Sequence, residues 1–340
     1  MRVGVLTSGG DCPGLNAALW GVTEVLSRAN ATPIGVRDGF KGLLNRPSIT
    51  AQDVDLTHID WVAALREGGS LLGSSRMHPH KEQSDRSAAL RATADLDALI
   101  VVGGDGSLRS AAKLANHIWA KRPEFIIAGV PKTIDNDVAA TEAAIGFASA
   151  VQRAQDACDA ASTTARSHRR ILVVEVMGRH SGALAAAVAL TGSAQRCVIP
   201  ESVFDPETFV RWAHEHPGSV VVVAEGAKIP GGPAHAYDNE GWIRPGFPSL
   251  LLAELLAAHE VPARSVVLGH VLRGGPPVAA DRELGAALGV QAATDVLAGR
   301  SNLAVFRSGH VTSVALAEAI QEPAPLHDIT LTRLQQLGRC

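Results

Sequence analysis

Short apolar runs of strand length recur along the chain. Each leads through a Gly-rich or polar turn into a longer segment with apolar residues at helical spacing. Arg2–Leu6 is the first such run. It passes through Ser8–Gly14 into Leu15–Ala29, where Leu15, Ala18, Leu19, Val22, Val25 and Leu26 fall on one helical face. Pro33–Val36 and Ala98–Val102 predict the next strands; Gly103–Ser107 and a helix over Leu108–Trp119 follow the latter. Phe125–Val130 predicts a strand that stops at Pro131. A second series begins with a helix over Ala139–Ala161. It continues with a strand Arg170–Val176 ending in MGRHSG, a helix Ser181–Leu190 and a strand Val220–Ala224 ending in Glu225. A strand Ser265–Leu268 ending in GHVLRGG and a helix Asp281–Ala298 complete it. Gly226–Pro248, rich in Gly and Pro, reads as a loop. Repeated strand–turn–helix units predict parallel sheets covered by helices on both faces. The polar motifs fall just after strands, the edge at which ligands bind in open α/β sheets.

Composition narrows this picture. The 340 residues suffice for two domains, and 46% hydrophobic content supplies their cores. A formal net charge of −3 gives no basic field to attract nucleic acid or an anionic membrane. The four Cys, at 12, 158, 197 and 340, contain no CxxC pair, which excludes a disulfide framework and a zinc site and points to reduced thiols. The opening MRVGVLTSGG is too short for a signal segment or a membrane span, so a soluble cytoplasmic protein is expected.

Four groups of residues carry candidate chemistry. Thr7–Asn16 joins a strand to a helix; Gly9 and Gly10 let backbone N–H groups approach a phosphate, and the helix N-terminus adds partial positive charge. The alternative is a plain turn in which Asp11 or Asn16 caps the helix. Gly103–Ser107 is a second such turn, in which Asp105 could hold Mg²⁺ or cap the next helix. Pro131–Asp137 carries Lys132 and Thr133 for phosphate oxygens, and Asp135 and Asp137, which share a face if the segment is extended. A polar turn with Asx caps is the competing reading. Arg170, Arg179, Arg264, His270 and Arg273 stand at later strand ends and suit a phosphate dianion, or else surface ion pairs. His78, His80, His214 and His216 read as surface groups, and Cys12 has no His placed to make it a nucleophile.

Together these motifs resemble the phosphofructokinase family, in unbroken order from Met1 to about residue 300. The matching stretches are GVLTSGGDCPGLNAA (4–18), GSSR (73–76), VVGGDGS (101–107), PKTIDND (131–137), SHRRILVVEVMGR (167–179), Glu225 in VVVAEGA and LGHVLRGGPP (268–277). The resemblance implies two similar three-layer αβα domains with mainly parallel sheets. A phosphoryl-donor domain is expected over 1–146 plus about 272–322, and a sugar-phosphate domain over 147–271 plus about 323–340. It implies Asp135 as general base on the sugar 1-hydroxyl, with Thr133 and Asp137 positioning the reacting groups. Asp105 would hold Mg²⁺, and Gly10, Arg76, Met77 and Gly104, Asp105, Gly106 and Ser107 would line the nucleotide phosphates. Met177, Gly178 and Arg179 would approach the transferred group and the sugar, and Glu225 the sugar hydroxyls. Arg264, His270 and Arg273 would grip the 6-phosphate, and Arg170 would reach in from a neighbouring subunit of a homodimer or homotetramer.

The donor turns on few positions. Diphosphate-using members of the family tend to carry Asp in place of Gly106 and Lys in place of Lys132. Gly106 leaves room for the ATP α-phosphate, so ATP is expected, with Phe40 as an aromatic wall for the base, although Lys132 fits the diphosphate pattern and Ser110 stands where many ATP-using members have Gly close to the adenine. The alternatives are a diphosphate-dependent enzyme, a sedoheptulose 7-phosphate kinase and a non-catalytic sugar-phosphate sensor. An NAD-binding oxidoreductase is disfavoured, because neither Gly-rich turn has the strict GxGxxG pattern with a following acidic residue. Trp20, Glu24 and Pro217–Val220 replace basic residues of the usual bacterial effector site, so weak response to ADP and phosphoenolpyruvate is expected.

Overall fold

The computed structural model describes residues 1–46, 53–231, 244–317, 326 and 328–340. Contacts gather the chain into two units. The first comprises Met1–Thr133, Val138–Ala148 and Arg273–Pro323; the second comprises Ile134–Asp137, Ser149–Leu272 and Ala324–Cys340. Numbered along the chain, the strands are β1 (Arg2–Ser8), β2 (Thr32–Gly35), β3 (Val54–Asp55), β4 (Ala98–Gly103), β5 (Ile126–Pro131), β6 (Ile171–Val176), β7 (Arg196–Val198), β8 (Val220–Ala224), β9 (Ala263–Val267), β10 (Asn302–Arg307) and β11 (His310–Ala315).

The first unit holds a seven-stranded sheet in the order β11-β10-β5-β4-β1-β2-β3. Its five inner strands run parallel, and β3 and β11 pair antiparallel at the two edges. Every residue of β4 is buried, which is why it reads as a continuous apolar run. Leu99 and Val101 pack with Leu108, Leu114 and Phe40. The opposite face carries the helices Leu15–Arg28 and Ala279–Leu297. These two meet backbone to backbone. A Cβ on Gly21 would lie 2.3 Å from the Ala286 carbonyl oxygen, and one on Gly289 2.3 Å from that of Ala18.

A buried charge network fixes the outer loops of this unit. The Arg46 guanidinium donates to Asp53 at 2.8 and 2.9 Å, to Asp95 at 2.7 and 3.0 Å, and to the Ala92 carbonyl at 2.6 Å. Its side chain is only 2% exposed. The bonds to Asp53 hold it cationic, beyond the ordinary arginine range, against the cost of burial. Arg46→Met would leave Asp53 without its counter-charge and Asp95 with only the half-exposed Arg2, and should destabilise the protein by about 3–5 kcal/mol in urea unfolding. A loss under about 1 kcal/mol would class the network with exposed ion pairs.

The second unit has a four-stranded, all-parallel sheet in the order β7-β8-β6-β9. Val173, Val221 and Val223 pack against Phe209, Leu252 and Leu256 from the helices Pro206–Glu215 and Phe247–Ala258. The helices Ala183–Leu190 and Asp328–Gln336 pack together, the former against β7 and β8. Glu175 on β6 is buried and accepts hydrogen bonds from Gly246 N, from Ser249 N at 3.1 Å and from Ser249 Oγ at 2.9 Å. Burial raises its pKa despite these donors. Both units are thus α/β, with helices on both faces of a mainly parallel sheet. No helix among the described residues is long and apolar enough to cross a membrane.

Several elements differ from the sequence expectation. The helix expected over Ala139–Ala161 runs Phe147–His168. Its expected first turns are held elsewhere: Ile145 bridges to Lys132, Thr141 Oγ1 accepts from Phe306 N at 2.9 Å, and Gly146 turns the chain with φ 101°. The expected loop Gly226–Pro248 lies outside the described residues over 232–243, and its last two residues open the helix Phe247–Ala258.

Candidate active site

In the first unit the two Gly-rich turns follow the neighbouring strands β1 and β4. Gly9 adopts φ 91°, and its N–H donates to the Ser75 carbonyl at 2.9 Å while its carbonyl accepts from Ser74 Oγ at 2.7 Å. The GSSR segment is therefore strapped to the first turn. Ser107 Oγ donates to Ser8 Oγ at 3.1 Å and ties the second turn to the first. Lys132 is buried, and its ammonium donates to the Gly10 carbonyl. The Arg273 guanidinium lies along Gly10, where a Cβ would come within 2.7 Å of Nη1, and it donates to the Asp11 carbonyl at 3.1 Å.

Neither helix that follows these turns has a side-chain cap. Gly14 precedes Leu15–Arg28 and Gly104 precedes Asp105–Trp119. Asn16 is not a cap: its amide donates to the Ala64 carbonyl and accepts from Leu71 N, both at 3.0 Å, and so braces the 64–71 loop. Two uncapped helix N-termini beside glycine turns present their N–H groups, an arrangement that favours anions. Asp105 opens the second helix and pairs with Arg109 Nε at 2.7 Å. Arg76 is exposed, and Met77 is half-buried against the core.

Four expectations change here. Phe40 is fully buried in the core and cannot stack on a nucleobase. Ser110 is buried too; its hydroxyl donates to the Gly106 carbonyl at 2.8 Å and meets His78 Nδ1 at 2.8 Å, which assigns the proton of that ring to Nδ1. His78 is consequently half-buried rather than a surface group, and burial holds its imidazole below the usual histidine range. His80 is half-buried beside it, its ring 6.1 Å from that of His78, and burial likewise lowers its pKa. The hydrophobic pattern gave no sign of these contacts, since the HxH pair sits in a loop outside both periodicities. Cys12 is buried, donates to the Ile145 carbonyl at 3.3 Å, and is pushed up to about 12 by burial, which makes it unreactive.

In the second unit the C-terminal sheet edge gathers Met177–Arg179 after β6, Glu225 after β8 and His270 in the 3-10 turn Gly269–Arg273 after β9. Glu225 N donates to the Val176 carbonyl at 2.9 Å and Gly226 N to that of Gly178 at 3.1 Å, so Glu225 and Met177–Arg179 are held side by side. Arg170 and Arg264 stand at the opposite edge. Arg170 immediately precedes β6, and Arg264 pairs in register with Leu172 at the start of that strand. The six residues of β6 separate them from Arg179 by about 20 Å. The basic residues expected together at strand C-termini thus divide among two sheet edges and, for Arg273, the Gly10 turn. Asp135 and Asp137 do not sit in an extended run, because Asn136 adopts φ 49°, a conformation that Asn tolerates. Asp137 Oδ1 is buried with no hydrogen-bond partner.

No three His, Cys, Asp or Glu side chains among the described residues form a chelating group. The residues fit Mg²⁺ in its usual manner at such sites, held by one or two carboxylates and by substrate phosphate oxygens. Asp105, in the first unit, is a carboxylate of that kind; in the second unit, taken by itself, Asp137 leaves Oδ1 buried with no partner.

The family model for phosphofructokinase matches residues 2–296. A pyrophosphate–fructose 6-phosphate 1-phosphotransferase of Amycolatopsis methanolica is 40% identical over 336 residues, covering 95% of each chain. An ATP-dependent 6-phosphofructokinase of Corynebacterium efficiens is 38% identical over 337 residues, covering 94% of each. Among solved structures, phosphofructokinase from Saccharomyces cerevisiae superposes with a TM-score of 0.79 at 28% identity, covering 99% of this chain and 46% of the yeast chain. A pyrophosphate-dependent phosphofructokinase from Nitrosospira multiformis shares the fold, with a TM-score of 0.83 at 20% identity. Matched by the family model over most of its length and by full-length relatives at 38% and 40% identity, this chain belongs to the phosphofructokinase family.

Proposed function

We propose that the protein transfers the γ-phosphoryl group of ATP to the 1-hydroxyl of fructose 6-phosphate, giving fructose 1,6-bisphosphate. The observation that carries this reading is the complete PKTIDND segment in a chain matched by the phosphofructokinase family from residue 2 to 296. The first unit would take the donor and the second the sugar phosphate.

Asp135 accepts the proton of the attacking 1-hydroxyl as its oxygen bonds to the γ-phosphorus and the β–γ bridge breaks. Thr133 and Asp137 orient the reacting groups. Arg179 neutralises the transferring phosphoryl oxygens, and backbone N–H groups at Gly10 and Gly104–Ser107 hold the donor phosphates. Asp105 would hold Mg²⁺, which supplies charge neutralisation at those phosphates when bound. Glu225 binds sugar hydroxyls and His270 the 6-phosphate, while Arg273, held at the Gly10 turn, stands on the donor side.

Gly106 supports ATP: a Cβ there would meet only His78 Cε1, at 3.9 Å, so the space beside the turn is open. Diphosphate is the second reading, favoured by Lys132 beside Gly10 and by the name of the Amycolatopsis relative. Turnover of ATP and diphosphate against fructose 6-phosphate, sedoheptulose 7-phosphate and fructose tests both. Diphosphate turnover without ATP turnover would overturn the donor assignment.

Two further outcomes follow from this reading. Arg170 and Arg264 act on the 6-phosphate of a neighbouring copy, and the edge strand β9 with exposed Val266 and Val267, followed by the exposed Val271 of the next turn, supports self-association. Sedimentation should therefore give a dimer or tetramer rather than 35.4 kDa. Trp20 and the exposed Glu24–Arg28 pair occupy the first helix where effector-binding bases are expected, so saturation with fructose 6-phosphate should be hyperbolic, unchanged by ADP or phosphoenolpyruvate. A large sigmoidal shift with either effector would sink this.

A further inference from the structure

We propose that Cys197 and Cys340 are a redox-active dithiol, a modification site that a hydroperoxide converts to a disulfide. Cys197 lies on β7, and Cys340 follows the helix Asp328–Gln336. The second unit binds the segment around that helix at three points. Cys197 N donates to the Arg339 carbonyl at 2.7 Å, Arg339 Nη1 donates to the Ala194 carbonyl at 2.8 Å, and Leu326 N donates to Glu201 Oε1 at 3.1 Å. The first of these bonds sets the backbones of residues 197 and 340 side by side, and both side chains line the same cleft. Close approach of this kind is what a disulfide requires.

The surroundings favour one thiolate. Cys340 is lowered to about 6, first by the hydrogen bond from Cys197, then by Ser202 and by the charge of Arg196, against its desolvation. The same hydrogen bond and burial push Cys197 up, so Cys340 is the nucleophile and Cys197 the resolving thiol. Both line a cleft of about 230 Å³ with Arg196, Ser202 and Thr208, room enough for a small peroxide. Cys12 and Cys158 are buried and pushed up to about 12, so they do not compete.

The chemistry closes without a further reagent. The Cys340 thiolate attacks one peroxide oxygen; an S–O bond forms, the O–O bond breaks and hydroxide leaves. Cys197 sulfur then attacks the sulfenic sulfur; the S–S bond forms, the S–O bond breaks, and the departing hydroxide takes the Cys197 proton as water. The proton released when Cys340 ionised converts the first hydroxide to water. Two electrons pass from the thiols, and one peroxide becomes two waters.

The test is mild hydrogen peroxide treatment of the native full chain, then alkylation, digestion and mass mapping. The expected product is a peptide pair joining Cys197 to Cys340, short of two hydrogens and released by reductant, with Cys12 and Cys158 still alkylated. Cys340→Ser should abolish the pair. In a second measurement without peroxide, iodoacetamide should label Cys340 with a midpoint near pH 6. Cys197→Ala should move that midpoint toward about 8.5. Irreversible Cys340 oxidation with no cross-link, oxidation of Cys12 or Cys158 at an equal rate, or an unmoved midpoint in Cys197→Ala would each overturn the proposal.

Discussion

Asp135→Asn should lower kcat for phosphoryl transfer by about 10²–10⁴-fold, the usual range for loss of a general base. Asn keeps the size of the side chain and its hydrogen-bonding shape, but it cannot take a proton at neutral pH. Asp135 sits between buried Ile134 and Asn136, whose positive φ turns the segment, and the substitution disturbs neither. The fold and the Michaelis constant for fructose 6-phosphate should therefore stay near the wild type, so that the loss falls on kcat. Steady-state kinetics together with a thermal melt separate the two effects. A kcat within tenfold of wild type would remove Asp135 from the chemistry. A collapsed melt would show a structural role instead.

Gly106→Asp should lower kcat/KM for ATP by about 5–1000-fold, corresponding to roughly 1–4 kcal/mol between like charges about 4 Å apart, from fully solvated to partly buried. The backbone at Gly106 is not in the left-handed region, and among the described residues a Cβ there would meet only His78 Cε1, at 3.9 Å. The new side chain should therefore fold in without strain, and its effect should be electrostatic. Gly106→Ala is the control and should retain most of the ATP rate. Equal losses in both variants would make the effect steric, and an unchanged ATP rate in Gly106→Asp would detach this position from donor choice. Diphosphate has no α-phosphate with an adenosine beyond it, so its rate should fall less than that of ATP.

The α/β class was legible because β4 and β8 are buried on both faces and read as unbroken apolar runs. The turns after β1 and β4 were legible because glycine clusters between a strand and a helix have few structural uses. Other features left no local trace. The strands β10 and β11 pair with each other, and β10 pairs with β5, far away in sequence. The start of the helix at Phe147 was hidden for the same reason. Local propensity favours helix from Ala139, but Ile145 is paired to Lys132 and Thr141 to Phe306, bonds that no helix of this sequence could offer.

The candidate site divides along the same line. Residue identity alone put carboxylates at 105, 135 and 137, glycines at 9, 10, 104 and 106, and bases at 170, 179, 264, 270 and 273. Position along a strand was beyond its reach. Arg170 and Arg179 flank the same strand, and only the register of β6 with β9 sets Arg170 and Arg264 at one sheet edge and Arg179 at the other. The roles of Phe40 and Ser110 were likewise decided by burial: an aromatic ring and a hydroxyl look available in sequence until packing encloses them. By itself, then, the sequence determined the strand–turn–helix plan and the chemical inventory of this phosphofructokinase, because backbone periodicity and side-chain chemistry are local properties. Which of those groups share an edge, which are enclosed, and that Cys197 and Cys340 line one cleft were decided by the tertiary structure, because only long-range pairing and close packing bring distant residues into contact.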